Sequence, residues 1–244
     1  MINVILSAGA SQRFFDAGYI IPKFLLKIKK QYMFLQAAKS LPKKNDWIFI
    51  FQTKHLEKYS SIKKSITKEF KKFSLISLKK KTSGQASTLL KIKKKINHNE
   101  DVFVTSNDMY FKYDKKKFNK LVKSKNNVVF VTKPSKYMLA NPKYFGWVRH
   151  SNNIAKLFSI KKKFKSVKKN DSVIIGSFYF NKFEDFVQNF NFLKKRKGRV
   201  NKEYYIDSVI EQISFNKKVA VLPVSSLINW GTPTEYEKSN GLKS

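Results

Sequence analysis

Five short apolar runs, at residues 2–6, 46–51, 73–78, 101–105 and 127–132, recur along the first half of the chain. Each is of strand length and rich in Val, Ile and Phe, so each reads as a strand buried in a sheet. Helix-forming stretches separate them. One ends near Ser40 and carries Phe34, Leu35 and Ala38; 55–73 is mostly helix; 85–96 has Leu89, Leu90 and Ile92 on its apolar side; 115–125 is another. Strand, helix, strand at this rhythm is the pattern of a mostly parallel sheet with helices on both faces, a three-layer, Rossmann-like α/β fold. Ligands in such sheets bind beyond the carboxyl ends of the strands, so a site is sought directly after each run.

From about Pro134 the pattern changes. Residues 144–148, 154–160 and 173–180 read as β segments with basic loops between them. Residues 183–191 and 204–213 read as helices, 194–199 as a mobile basic loop, and 219–224 as a late strand. No repeat, no Pro- or Gly-rich linker and no sharp boundary interrupts the chain, so the expectation is one domain, 1–244, with a first part to 133 and a mixed β/α part from 134.

A length of 244 residues is normal for one α/β domain with insertions, and 42% hydrophobic residues can fill a core. No run approaches the length of a membrane span, and Met1-Ile2-Asn3 leads straight into the first strand, so a soluble cytoplasmic protein is expected. The absence of cysteine excludes disulfides and thiolate metal sites. His55, His98 and His150 are widely spaced in polar surroundings and read as surface residues rather than zinc ligands. The net charge of +35 invites a nucleic-acid reading, but arginine occurs only at 13, 149, 196 and 199. Lysines fall in scattered blocks such as 79–81, 93–95 and 161–163. That pattern reads as a solvated surface that speeds encounters with anionic substrates, with no specific nucleic acid expected. A basic nucleic-acid-binding protein on a degenerate enzyme fold is the alternative of another class.

Three segments can carry chemistry. Ser7-Ala8-Gly9-Ala10-Ser11-Gln12 follows the first run, with small side chains that let a ligand approach the backbone. Its N–H groups could cradle a phosphate, Arg13 adds a charged fork, and Pro22 stiffens the chain beside a second cation, Lys23. The competing reading is an ordinary turn with two surface cations. It is neither the dinucleotide fingerprint nor a Walker loop, since the required glycines and Gly-Lys-Ser/Thr are missing. Thr82-Ser83-Gly84-Gln85 offers a glycine that a flat ring could approach and an amide that could read a base edge, or else Ser83 simply caps a helix. Ser106-Asn107-Asp108 ends an apolar run in a carboxylate, suited to Mg²⁺ with phosphate oxygens and water, or else to a cap.

Residues 7–14, then Ala17-Gly18-Tyr19 and Pro22-Lys23, resemble the opening signature of the sugar-phosphate nucleotidyltransferases: Ala-Gly-x-Gly-x-Arg, a short gap, then Pro-Lys. Ser11 stands where a second glycine is common. The resemblance runs in order from Ile2 to Pro233 and fits the short form without a hexapeptide-repeat tail. It implies the nucleotide-diphospho-sugar transferase fold, with 1–133 binding the nucleotide and 134–244 the acceptor. It also implies Mg²⁺, a nucleoside triphosphate and a phosphorylated small-molecule acceptor. Sugar 1-phosphates are the default acceptor, giving nucleotide-sugars for surface glycans or capsule; phosphocholine-type cytidylyltransferases are the closest competitor.

Carried over residue by residue, the resemblance makes Arg13, Lys23 and Asp108 catalytic. The nucleotide would lie on Ser7, Ala8, Gly9, Ala10, Ser11, Gln12, Arg13, Ser83, Gly84, Gln85 and Asn107. Gly146, in Tyr144-Phe145-Gly146-Trp147, resembles a glycine that meets the sugar, though an aromatic core strand is an equal reading. Gly176 would lie near the acceptor, in a strand where Phe178 replaces the usual tyrosine, and Glu203 would touch the acceptor. Asp108 would bind the metal. Its usual second ligand is an aspartate where this chain has Asn229, so either that amide or Asp207 would serve. The family's Glu-Lys-Pro element is missing, with Lys161-Lys162-Lys163 in its place.

Overall fold

The computed structural model of the chain describes residues 1–241. Its strands are β1 (Ile2–Ser7), β2 (Lys27–Ile28), β3 (Gln31–Tyr32), β4 (Asp46–Gln52), β5 (Phe73–Leu78), β6 (Val102–Ser106), β7 (Met109–Tyr113), β8 (Asn127–Thr132), β9 (Gly146–Ser151), β10 (Ile154–Ile160), β11 (Asp171–Phe180) and β12 (Val219–Asn229). The α-helices are α1 (Gln12–Asp16), α2 (Met33–Ala38), α3 (Thr53–Lys58), α4 (Ser61–Glu69), α5 (Gln85–Leu89), α6 (Lys115–Lys123), α7 (Lys136–Ala140), α8 (Phe183–Lys195), α9 (Ile206–Ser214) and α10 (Pro233–Ser239). The α/β class expected from the strand rhythm is the one observed.

Two compact units emerge. The first comprises residues 1–81, 104–112 and 226 onward. Its strand order is β5-β4-β1-β6. β1 runs parallel to β4, with Ile2 opposite Asp46 and Ser7 opposite Phe51, and β4 runs parallel to β5. β1 and β4 are buried almost throughout, because a strand covered on both faces tolerates no polar alternation. β5, at the edge, is only half-buried. The chain leaves β1 toward β4 on one side and returns as β6 on the other. That reversal is a topological switch point, and it brings the ends of β1 and β6 together.

The second unit comprises residues 82–103 and 113–225. Here the order is β11-β8-β12-β10-β9, with β11 also pairing β9. β8 and β12 are parallel, but β11 is antiparallel to both β8 and β9, and β9–β10 is a hairpin. This half is therefore mixed rather than parallel. Its core is aromatic: Phe103 stacks on Phe130 at 4.8 Å, and Phe118 meets Tyr179 edge-on at 5.3 Å.

Local expectations shift at several points. His55 is buried, with its ring 5.2 Å from that of Phe24, because α3 turns that face of the helix onto the sheet; it is not a surface residue. His98 and His150 are half-exposed; His98 bonds Glu184 and the Lys93 carbonyl, and His150 bonds Ser172. α8 continues through Lys195, so the basic loop starts later than the lysine run suggests. Residues 142–144 form a 3₁₀ turn, and α9 begins only at Ile206.

Candidate active site

In the first unit the sequence-named residues gather at the ends of β1 and β6. Asn107, buried, donates its Nδ2 to the Leu6 carbonyl at 2.8 Å and ties β6 to the end of β1. Gln52 Nε2 donates to the Ala8 carbonyl at 2.8 Å and holds the turn from the β4 side. Gly9 and Ala10 are exposed. A Cβ placed on Gly9 would meet no atom within 4 Å, and Gly9 does not sit at positive φ. The left-handed residue of the turn is instead Ser11, at φ 58° and ψ 23°. That conformation favours glycine, so serine carries a strain of about 1–2 kcal/mol there. Its Oγ accepts the Lys23 N–H at 3.1 Å, which fixes the Pro22-Lys23 corner. Arg13 lies exposed on the short α1, where Gln12 bonds Asp16.

Lys23 and Asp108 form the centre of this arrangement. Lys23 Nζ lies 2.5 Å from Asp108 Oδ2, and Ser106 Oγ donates to Asp108 Oδ1 at 2.6 Å. Burial pushes the Asp108 carboxyl up. Lys23, by charge and hydrogen bond, together with Ser106 and the backbone outweighs it and holds the group below its ordinary value. Asp108 caps no helix; its carbonyl accepts the Trp230 N–H at 2.7 Å. The Trp230-Gly231 turn thereby brings Asn229 to the same place. The point where a Cβ on Gly231 would stand is 3.4 Å from both Asn229 Oδ1 and Asp108 Oδ2.

In the second unit, the three glycines named from sequence are glycines for internal reasons. Gly84 sits at φ +115°, and a Cβ on it would lie 2.5 Å from the Tyr204 carbonyl oxygen and 2.7 Å from the Tyr204 nitrogen. Gly84, not Ser83, is the N-cap of α5, with no side-chain capping bond; Ser83 Oγ pairs with Ser87 Oγ instead. Gln85 is exposed. A Cβ on Gly146 would lie 2.7 Å from Asp207 Oδ1. One segment, 203–207, thus fills the space beside both glycines. Gly176, at φ 83°, stands between Ile174 and Phe178 where the β11–β8 register shifts, so the irregularity itself calls for glycine. Glu203 is half-buried and accepts a hydrogen bond from Tyr205.

Asp207 is buried in the first turn of α9. Burial raises its carboxyl above the ordinary 3.8, against the opposing pull of Lys161 and its own backbone. A raised acid binds its proton more readily in the native chain. Stability therefore falls as pH rises through the window above 3.8, and the deficit persists at neutral pH. Asp207→Asn should raise Tm at pH 7, by roughly 2–4 °C per kcal/mol relieved, and the gain should vanish as pH falls below the carboxylate range. An unchanged or lower Tm at pH 7 would contradict this account of the burial.

Sequence reasoning missed four partners: Gln52, Ser106, Lys161 and Glu235. Lys161 donates to the Tyr144 carbonyl at 2.9 Å and covers the Tyr205 ring at 4.5 Å. Glu235 accepts from Asn229 Nδ2 at 2.7 Å. Only Glu235 had a sequence signal, the Thr232-x-x-Glu235 capping box that opens α10.

A sheet reversing beside β1, with a cation and a carboxylate at its carboxyl ends, is the place where an open α/β protein binds a ligand. Comparison with known proteins agrees. Residues 2–230 match the family model for nucleotidyl transferases, and the chain belongs to that family. It is a nucleotidyltransferase. Among solved structures, a nucleoside-diphosphate-sugar pyrophosphorylase from Vibrio cholerae RC9 superposes with TM-score 0.80, at 20% identity, over 99% of this chain and 100% of that one. A UDP-glucose pyrophosphorylase complexed with UDP-glucose gives 0.77 at 16% identity, over 99% and 97%. The inositol-1-phosphate CTP transferase of T. maritima gives 0.69 at 14% identity, over 96% and 90%. At these identities the likeness is one of fold. No curated protein sequence matches the chain. No helix of the described residues is long and apolar enough to cross a membrane.

Proposed function

We propose that the chain transfers a nucleotidyl group from a nucleoside triphosphate to a phosphorylated small molecule, in the first place a sugar 1-phosphate, with Mg²⁺ as cofactor. An acceptor phosphate oxygen attacks the α-phosphorus, the new P–O–P bond forms, the bond to the β-phosphate breaks, and pyrophosphate leaves with the electron pair. The observation that carries this reading is the Lys23–Asp108 pair at the switch point, beside the open Gly9 turn. Transfers of this kind rely on positioning and charge neutralisation rather than on a nucleophilic side chain.

The residues fit a hard divalent ion. Asp108 and Asn229 present a carboxylate and an amide oxygen around Gly231. No cluster of three His, Cys, Asp or Glu side chains able to hold a metal occurs among the described residues, so phosphate and water oxygens would complete the shell. When bound, the ion neutralises charge on the reacting phosphates. The turn 8–12 lets the triphosphate approach the backbone, and exposed Arg13 meets the departing pyrophosphate. Lys23 exchanges Asp108 for a phosphate oxygen. Ser83, Gly84 and Gln85 are assigned to the base and Gly146, Gly176 and Glu203 to the acceptor side from their place in the family pattern. The Tyr204 backbone at Gly84, and the Asp207 carboxylate at Gly146, fill the space where a Cβ would stand.

Pyrophosphate release tests this. CTP, UTP, dTTP, GTP and ATP are each paired with glucose 1-phosphate, inositol 1-phosphate and phosphocholine in the presence of Mg²⁺. Release that needs both partners and prefers one nucleotide is expected, and the acceptor follows from the best pair. Release from no pair would contradict the reading.

A further inference from the structure

Asn229 holds the place of a carboxylate, and its amide is not free to turn. Its Nδ2 donates to Glu235 Oε1 at 2.7 Å. Glu235 is itself pinned: its Oε2 accepts the Thr232 N–H at 3.1 Å and the Thr232 hydroxyl at 2.9 Å, while the Glu235 N–H donates back to Thr232 Oγ1 at 3.3 Å. A flipped amide would set its oxygen against the Glu235 carboxylate at hydrogen-bond distance, which repulsion forbids. The amide oxygen therefore points away from Glu235; the point where a Cβ on Gly231 would stand is 3.4 Å from it, 3.6 Å from Nδ2 and 3.4 Å from Asp108 Oδ2.

We propose that Glu235 is a positioning residue that makes Asn229 the oxygen partner of Asp108 for a divalent cation, with the second negative charge moved one hydrogen bond outward. The inference rests on the metal-assisted reading above. A carboxylate that accepts from an amide N–H draws density toward the amide oxygen, so Asn229 Oδ1 becomes a better donor than a solvated amide. The direct charge around Gly231 is then that of Asp108 alone, and Lys23 already answers it at 2.5 Å. Metal affinity in the free protein thus depends on the Asn229–Glu235 pair more than in a site with two carboxylates.

The test is Mn²⁺ binding to the full chain, followed by the loss of the free-ion EPR signal in a MnCl₂ titration, with Tm measured alongside. Glu235→Gln should weaken binding about tenfold, the range for partners that orient metal ligands. Asn229→Asp alone should not tighten it and should lower Tm, because it sets two carboxylates at hydrogen-bond distance. Asn229→Asp combined with Glu235→Gln should bind Mn²⁺ more tightly than the wild type. Thr232→Ala removes the hydroxyl that helps pin Glu235 but keeps the Thr232 N–H bond to it, so it should lower Tm and weaken Mn²⁺ binding less than Glu235→Gln does. Binding that depends on Asp108 but is indifferent to Glu235, or a double variant no tighter than the wild type, overturns the inference and leaves the metal-assisted reading standing. Binding indifferent to Asp108 overturns both.

Discussion

Asp108→Asn should cut kcat/KM for pyrophosphate release by about 10²–10³-fold, in the range that single preorganised electrostatic groups supply to a transition state. The size of the effect follows from isolation. Asp108 is the carboxylate of its site, since the residue beside it around Gly231 is an amide. Removing its charge leaves the Asn229 amide oxygen as the oxygen beside Gly231 and leaves Lys23 without its counter-charge. The fold should survive. Asn keeps an oxygen for the Ser106 hydroxyl and keeps the backbone bond from Trp230. The Lys23 and Asp108 side chains retain 19% and 16% of their exposure, so the pair is neither fully solvated nor sealed. Loss of the pair should cost about 1–2 kcal/mol, between the surface and buried limits. A variant that unfolds, or one that keeps the wild-type rate, would contradict this placement of Asp108.

Gly84→Ala carries the largest expected loss of stability, about 4 kcal/mol or more. Two costs combine. A φ of +115° is strained for any residue with a Cβ, at about 1–3 kcal/mol. The added methyl would also stand 2.5 Å from a backbone oxygen that cannot swing aside, because the Tyr204 carbonyl accepts the Ala86 N–H at 3.0 Å and the Tyr204 N–H donates to Ser83 at 2.7 Å. Relief means breaking at least one of these bonds in a buried place. Gly9→Ala is the built-in comparison: its methyl would touch nothing, so stability should stay within about 0.5 kcal/mol. Urea unfolding of both variants decides it, since the midpoint moves with stability when the slope is constant. Equal midpoints for Gly84→Ala and wild type would show that the 203–207 segment yields easily.

The two glycines mark what a sequence can and cannot tell. Gly9 and Gly84 look alike on paper, each a small residue after an apolar run. Only the tertiary packing of residue 204, some 120 positions away, separates the glycine that the fold requires from the one it does not. β1, β4, β6 and β8 were legible because doubly buried strands write themselves as continuous apolar runs. Asp108 was legible because it ends such a run. The antiparallel course of β11 was not, since a long buried strand reads the same in either direction. His55 was misjudged because its sequence neighbours are polar while the helix face it occupies is not. The bond that holds the Asn229 amide was not legible either, since Glu235, six residues on, reads from sequence only as a capping residue.

The proposed role of Asp108 is to help hold a nucleotide with its metal. Thermal unfolding with CTP, UTP, dTTP, GTP and ATP, each with and without Mg²⁺, on wild type and Asp108→Asn, tests it most directly, because a ligand that binds only the native state raises Tm by mass action. One nucleotide should stabilise the wild type, and the Mg²⁺-dependent part of that shift should disappear in Asp108→Asn. A Mg²⁺-dependent shift of equal size in both proteins, or no shift with any nucleotide, would contradict it.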